Sequence, residues 1–399
     1  VLPEHLFDWR TAPQNRQRNI TPLLDDVAVN GRYLPEQLLA NVGKSFQGSI
    51  ALGAGFLLDP DEAKALIVKD ARNSAVLFPY LSGEDLNSHP QQKPSRWAIY
   101  FFDWSLEQAE QYPDCIAIVR ERVYPERQKN NDRQRRDIWW RFTRPTVEHY
   151  ATIATLKQVL FHGFTSKYLA FSFVPKGYIY AGPHNVFALD QFRYFATLQS
   201  ALHEIWVLQY LSTMKTDIRY SSSDAFQTFP FPEIDMLPLL ETIGETYHET
   251  RRQIMLARQE GLTDTYNRFH NPNEHSADIM QLRALHVEMD HAVAAACGWS
   301  DFDVQYAFHE TPQGVRYTMP ESVRREVLKR LLALNFERAA EEQAMLTGAV
   351  KVKKKGKKVA QAAASTPVAP EASPLDPNAP PPEQLDLFDD GSAKQRWLL

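Results

Sequence analysis

Between Arg120 and Arg144 the chain carries Arg120, Arg122, Arg127, Lys129, Arg133, Arg135, Arg136, Arg141 and Arg144 against Glu121, Glu126, Asp132 and Asp137, with Trp139 and Trp140 interleaved. A guanidinium fork grips phosphate through two parallel hydrogen bonds and reads guanine edges in the major groove, which is the chemistry of a DNA-facing loop. A solvated charged loop beside a Trp-anchored core strand would have the same composition. Asn130-Asn131-Asp132 marks an exposed turn and fits both readings.

A second group lies at Lys215, Arg219, Tyr220 and Ser221 to Ser223, where two cations, a phenol and hydroxyls could meet phosphates and bases or cap the next turn. The expected DNA contacts are Arg133, Arg135, Arg136, Arg141, Arg144, Lys215, Arg219, Tyr220 and Ser221. Trp139 and Trp140 are expected to support the core instead.

Other chemistries find less support. Gly53-Ala54-Gly55-Phe56 has the composition of a nucleotide or S-adenosylmethionine loop, but such loops leave a strand and open directly into a helix. Here Phe56-Leu57-Leu58 reads as a strand and the helix starts only at Asp59-Pro60, so a turn or bulge is expected. Pro113-Asp114 with Glu121-Arg122 matches a metal-dependent nuclease only loosely. His286 and Asp290 stand one helical turn apart and could hold a metal, but surface and boundary positions on an amphipathic helix account for His286, Glu288, Asp290 and His291 more simply. No nucleophile with an identifiable base emerges, so no catalytic residue and no metal site are expected.

The elements that must position the basic groups follow from composition and periodicity. The 399 residues, 44% hydrophobic and 12% aromatic, can bury two or three cores. Cys115 and Cys297 cannot build a disulfide framework, which makes a reducing cytoplasm the expected location. No apolar run approaches the roughly 20 residues that span a bilayer. The net charge of −5 does not exclude nucleic acid, because binding needs a local basic surface.

Residues 1–44 read as a linker from something upstream. Over 45–232, short aromatic and β-branched runs (Trp97 to Phe102, Ile116 to Val119, Tyr168 to Val174) predict strands, while Asp59-Pro60-Asp61-Glu62 predicts a helix start and Phe195, Leu198, Leu202, Ile205 and Trp206 keep the spacing of one helix. Over 233–347, Leu282, Leu285, Met289 and Val293, then Leu328, Leu331, Leu332 and Phe336, predict an all-α domain, with a helix beginning near Pro320. Residues 348–399, Lys-rich and then rich in Pro, Ala and acids, are expected to be a disordered tail. The fold class expected is α+β: a mixed α/β domain, an all-α domain and the tail.

The tail carries two short signals. Lys351, Lys353, Lys354, Lys355, Lys357 and Lys358 read as a DNA-tethering patch or a solubilising run. Gln384-Leu385-Asp386-Leu387-Phe388 looks like the pentapeptide by which bacterial proteins dock on the replication sliding clamp; coincidence or docking on the protein's own surface stays open.

Several segments, in order, carry a family likeness: Ser45-Phe46-Gln47-Gly48-Ser49, Phe78-Pro79-Tyr80-Leu81-Ser82-Gly83-Glu84-Asp85-Leu86-Asn87, Ser95-Arg96-Trp97, Trp139-Trp140-Arg141-Phe142, and Arg219-Tyr220-Ser221 leading to Thr228-Phe229-Pro230-Phe231-Pro232. Further ones are Gly261-Leu262-Thr263, Leu282 to His286, Gly298-Trp299 and Arg330 to Asn335. Together they resemble the C-terminal half of fused restriction and modification enzymes of the MmeI type and the adenine-methylating subunits of DISARM and similar phage-defence systems. The resemblance implies that residues 45–232 form a target-recognition domain facing double-stranded DNA and that a helical domain closes behind the duplex. It also implies a methyltransferase half, bearing S-adenosylmethionine and methylating adenine N6, that this sequence does not contain. No cofactor is therefore expected in this chain. The resulting expectation is the sequence-recognising portion of a site-specific adenine methyltransferase, partnered by a catalytic domain or subunit. A DNA-binding or interaction scaffold without a methylation role, and an autonomous enzyme, are the alternatives.

Overall fold

The computed structural model describes residues 34–356 except 212, 215–216 and 233–237, and side chains up to residue 347 except those of 213 and 214. Lys215 and the Gln384 to Phe388 motif lie outside the described residues.

Two hydrophobic cores organise the chain. The smaller gathers Phe56, Leu58, Trp97, Ile99, Tyr100, Ile116, Val119, Trp139 and Phe142 around a sheet ordered Leu57–Leu58, Arg96–Ile99, Leu77–Leu81, Ile179–Tyr180. Only the last pair of strands is parallel. The larger core starts under an antiparallel sheet ordered Ser45–Gln47, Asn185–Phe187, Gln158–His162, Ser172–Pro175 and continues without a break through Phe195, Trp206, Tyr247, Leu282 and Leu331. The apolar core therefore does not divide at residue 232: the sheet and the helices after it bury one another's faces.

Arg251, on the helix Pro238–Arg258, ties the two regions. Its guanidinium donates to the Phe171 carbonyl at 2.6 Å, Ser172 Oγ at 3.0 Å, Gln199 Oε1 at 3.1 Å and Tyr266 Oη at 3.2 Å. A fully buried cation with no carboxylate beside it is tolerable only because four neutral acceptors replace its water.

Several expectations are corrected. Ile116 to Val119 is not a strand but part of the helix Pro113–Arg122; Pro113 presets the first turn, and Cys115, Ile116 and Val119 form one buried stripe. The basic stretch is largely helical, with Tyr124–Gln128 and Arg133–Asp137 on either side of the expected turn at Asn130 to Asp132. The predicted single helix around Phe195 to Trp206 breaks at Ser200, which is extended and accepts from His203 N, so Phe192–Gln199 and Ala201–Tyr210 are separate helices. The C-terminal region is not purely helical: a hairpin pairs Ala307–Thr311 with Gly314–Thr318. The last helix, Glu321–Gly356, runs past residue 347 and takes in Lys351 to Lys355. The helix Pro60–Lys69 begins where Asp59-Pro60 predicts.

Candidate nucleic-acid interface

An open cleft of about 600 Å³ separates the edge strand Ser45–Gln47 from the segment Arg219 to Asp224, with Phe164, Leu211 and Gln227 completing its lining. Its first wall begins at the free edge of the sheet. Gln47 pairs with Asn185 in that sheet, and the backbone then runs close against the 180–184 segment at Gly48, whose amide donates to the His184 carbonyl at 2.9 Å. A Cβ on Gly48 would stand 2.6 Å from the Ala181 carbonyl oxygen and closer still to that of Tyr180, so only glycine allows this approach. Beyond it, Ile50 and Arg144 exchange both backbone hydrogen bonds, and Ser49 Oγ donates to the Pro145 carbonyl at 2.9 Å. Arg144 is thereby held over the first wall, where its Nη1 donates to Gln47 Oε1 at 2.7 Å.

The second wall is the strand Asp217–Arg219, paired with Thr165–Ser166, followed by one wide turn of helix at Ser222–Phe226. The Arg219 guanidinium lies 4.9 Å from the centre of the Phe164 ring, which fixes the plane of its fork. Ser221 and Ser223 hydroxyls meet at 3.0 Å beside it. Asn185 joins the walls: its Nδ2 donates to the Tyr220 carbonyl at 3.3 Å and its Oδ1 accepts from Ser222 Oγ at 3.0 Å, while its backbone pairs with Gln47. Neither Gln47 nor Asn185 was among the expected contacts. The one signal for Asn185 is an amide residue heading an apolar strand, Asn185-Val186-Phe187, a position that asparagine disfavours unless its side chain has partners to meet.

Arg219 and Ser221 therefore line one cleft with Gln47, and Arg144 joins them through its hydrogen bond to Gln47. Tyr220 does not reach it: the ring is fully buried, and its hydroxyl meets His203 Nε2 at 3.3 Å. Strand alternation explains the correction, because Arg219 and Ser221 face solvent and the residue between them must face the core.

The remaining arginines sit on the smaller core. Arg133 pairs with Asp137 at 3.1 Å and is 86% exposed, and Arg135 pairs with Asp132 at 3.1 Å. Arg120 and Arg122 pair with Glu110 and Glu62. Arg136 and Arg141 keep uncompensated charges, donating to the carbonyls of Asn130 at 2.7 Å and Asp103 at 2.6 Å. Arg127 is buried and donates to the Ala51 carbonyl at 2.7 Å, a structural role. Trp139 is buried, and Trp140 Nε1 donates to the Trp104 carbonyl at 2.9 Å.

Elsewhere, Gly53 to Phe56 forms a tight turn into the strand Leu57–Leu58, and a Cβ on Gly55 would meet Val123 and the Arg122 carbonyl oxygen. That glycine serves packing, and the segment lacks the helix N-terminus a cofactor's phosphate or carboxylate would need. His286 and Asp290 are not surface residues: both are buried, 3.8 Å apart, whereas Glu288 and His291 face solvent. Asp290 accepts from Ala201 N at 3.0 Å and from the Tyr306 hydroxyl, and burial pushes its carboxyl up to about 7. Among the described residues no group of three or more His, Cys, Asp or Glu could hold a metal ion, and no helix is long and apolar enough to cross a membrane.

A family model described as the MmeI target recognition domain matches residues 26–233, more than half of the chain. The chain belongs to the MmeI target-recognition-domain family. The matched residues take in both walls of the cleft and the arginines from Arg120 to Arg219 described above. Among solved structures, the type IIL restriction-modification enzyme MmeI in complex with DNA is similar, at a TM-score of 0.52 and 17% sequence identity, over 77% of this chain and 37% of that one. At that identity the likeness speaks for the fold, which extends past the matched domain into the helices. The chain spans little more than a third of that enzyme's length. No curated protein matches the sequence.

Proposed function

We propose that this chain selects a short sequence in duplex DNA and so directs a site-specific adenine-N6 methyltransferase of a restriction-modification or phage-defence system. The observation that carries the reading is the cleft lined by Gln47 on one wall and Arg219 and Ser221 on the other, with Arg144 bound to Gln47, in a family defined by target recognition. Fixed guanidiniums and hydroxyls on rigid strands suit base edges and phosphates together. The Arg133 to Arg144 surface supplies flanking phosphate contacts through Arg133, Arg135, Arg136 and Arg141. Its aspartate pairs are exposed, so exchanging them for phosphate costs little. Ser221 lines the cleft itself. Methyl transfer from S-adenosylmethionine is assigned to a catalytic domain or subunit acting with this chain, since the one glycine-rich segment that could suggest the cofactor is a packing turn.

Duplex binding measured against salt tests the reading. Affinity should fall steeply with ionic strength, and Arg144→Ala with Arg219→Ala should lower the log–log slope by about 2, roughly one per phosphate contact. Affinity independent of both salt and these arginines would leave the chain as an interaction scaffold.

A further inference from the structure

The amide of Gln47 is half engaged in a way that sets what it can read. Arg144 has only donors, so the atom it meets at 2.7 Å must be the amide oxygen, and the orientation of the Gln47 side chain follows from that contact. The Nε2 group, with two hydrogens, is then the free end. No described residue accepts from it, and the side chain is half-buried in the lining of the cleft. The Arg144 backbone is anchored to Ile50 by two hydrogen bonds, which sets its side chain beside Gln47. Across the cleft, the Arg219 guanidinium stands over the Phe164 ring and the Ser221 and Ser223 hydroxyls bond each other.

We propose that Gln47 is a base-reading residue that acts as a donor: its Nε2 group hydrogen-bonds an acceptor edge, best met by guanine with O6 and N7, and Arg144 positions it by occupying its oxygen. Glutamine with a free oxygen pairs with adenine through donor and acceptor together; glutamine with that oxygen claimed by a cation favours bases that accept. Cytosine, which offers only its N4 donor in the major groove, is the base disfavoured at this position. The inference rests on the DNA-recognition reading above and adds to it one residue, one polarity and one base position.

Glu at this position keeps the shape and the Arg144 partner but replaces both donors with an acceptor. The full chain and Gln47→Glu are each taken through selection from randomised duplexes, with thermal unfolding confirming that the variant folds. The measured quantity is the affinity ratio between two duplexes differing at a single base pair, which cancels the general loss that a new negative charge causes. The expected result is a consensus with guanine at one position that moves toward cytosine in the variant, the ratio changing about tenfold or more. Arg144→Met should instead relax the same position, admitting adenine, because the amide is free to turn. A consensus that Gln47→Glu leaves unchanged overturns this assignment while the recognition role stands. A wild-type chain with no sequence preference at all overturns both.

Discussion

Tyr220 and His203 meet across the buried side of the cleft, the phenol hydroxyl 3.3 Å from Nε2 while Nδ1 of the same ring lies 2.8 Å from the Leu198 carbonyl. A carbonyl can only accept, so Nδ1 carries the proton and Nε2 takes the one from Tyr220. The sequence offers Tyr220 as a DNA contact, but its work is to hold the strand that presents Arg219 and Ser221. Tyr220→Phe should accordingly cost about 1 kcal/mol of stability, the net worth of one neutral hydrogen bond, and change duplex affinity by less than about twofold. Denaturant unfolding and a binding titration on the same preparation check both halves; a large affinity loss with unchanged stability would restore Tyr220 to the DNA surface.

The same ring gives a pH dependence with a definite sign. Burial drops His203 to about 4, below the value near 6.5 of an unfolded histidine. The unfolded chain then binds the proton more readily, so this contribution to stability is whole above about pH 6.5 and is lost as pH falls toward 4. His162 and His286, buried, and His248, half-buried, are lowered to about 3 by desolvation and act in the same direction. Asp290 opposes them: raised to about 7 by burial, it favours the folded state most below about pH 4 and loses that contribution as pH rises to 7. Urea midpoints between pH 4 and 8 should show His203→Gln flattening the acid side. Asp290→Asn should remove a decline between pH 4 and 7. Parallel curves for parent and variants would refute the assignment.

Asn335, fully buried on the last helix, imitates a strand partner for Glu36. Its Oδ1 accepts from Glu36 N at 2.9 Å and its Nδ2 donates to the Glu36 carbonyl at 2.9 Å and to the Thr228 carbonyl at 2.7 Å. Glu342, two turns on, accepts from the amides of Leu39 and Ala40, so one face of the helix fixes the segment leading into the edge strand Ser45–Gln47. Asn335→Leu removes the hydrogen bonds it makes to three backbone groups and should cost about 2–4 kcal/mol, at about 1–3 kcal/mol for each group that stays dry and less where water enters. Amide hydrogen exchange localises the loss: residues 36–41 should exchange faster while the small core of Phe56 and Trp97 is unchanged. Uniform exchange would show that the contact does not bear on that segment.

How much could be read without the fold depends on the range of the forces involved. Pro60 and Asp61 announce their helix because a fixed φ and the dipole act within one turn, and Leu282 to Val293 announce theirs because a single buried face repeats with the helical period. Ile116 to Val119 misleads because β-branching is a weak preference, overridden once Cys115, Ile116 and Val119 join the smaller core from one face of a helix.

The order of motifs along the chain was enough to give the family, and residue types alone marked Arg144, Arg219 and Ser221 as groups able to meet DNA. That Arg219 and Ser221 face outward while Tyr220 faces inward was decided by which side of a three-residue strand found the core. That Gln47 belongs with Arg144, 97 residues away, was decided by a backbone bridge at Ile50, a close backbone approach only Gly48 permits, and the side chain of Asn185 joining the opposite wall. Such contacts leave no trace in local composition, because their free energy comes from burial and hydrogen bonds that exist only once distant segments have met.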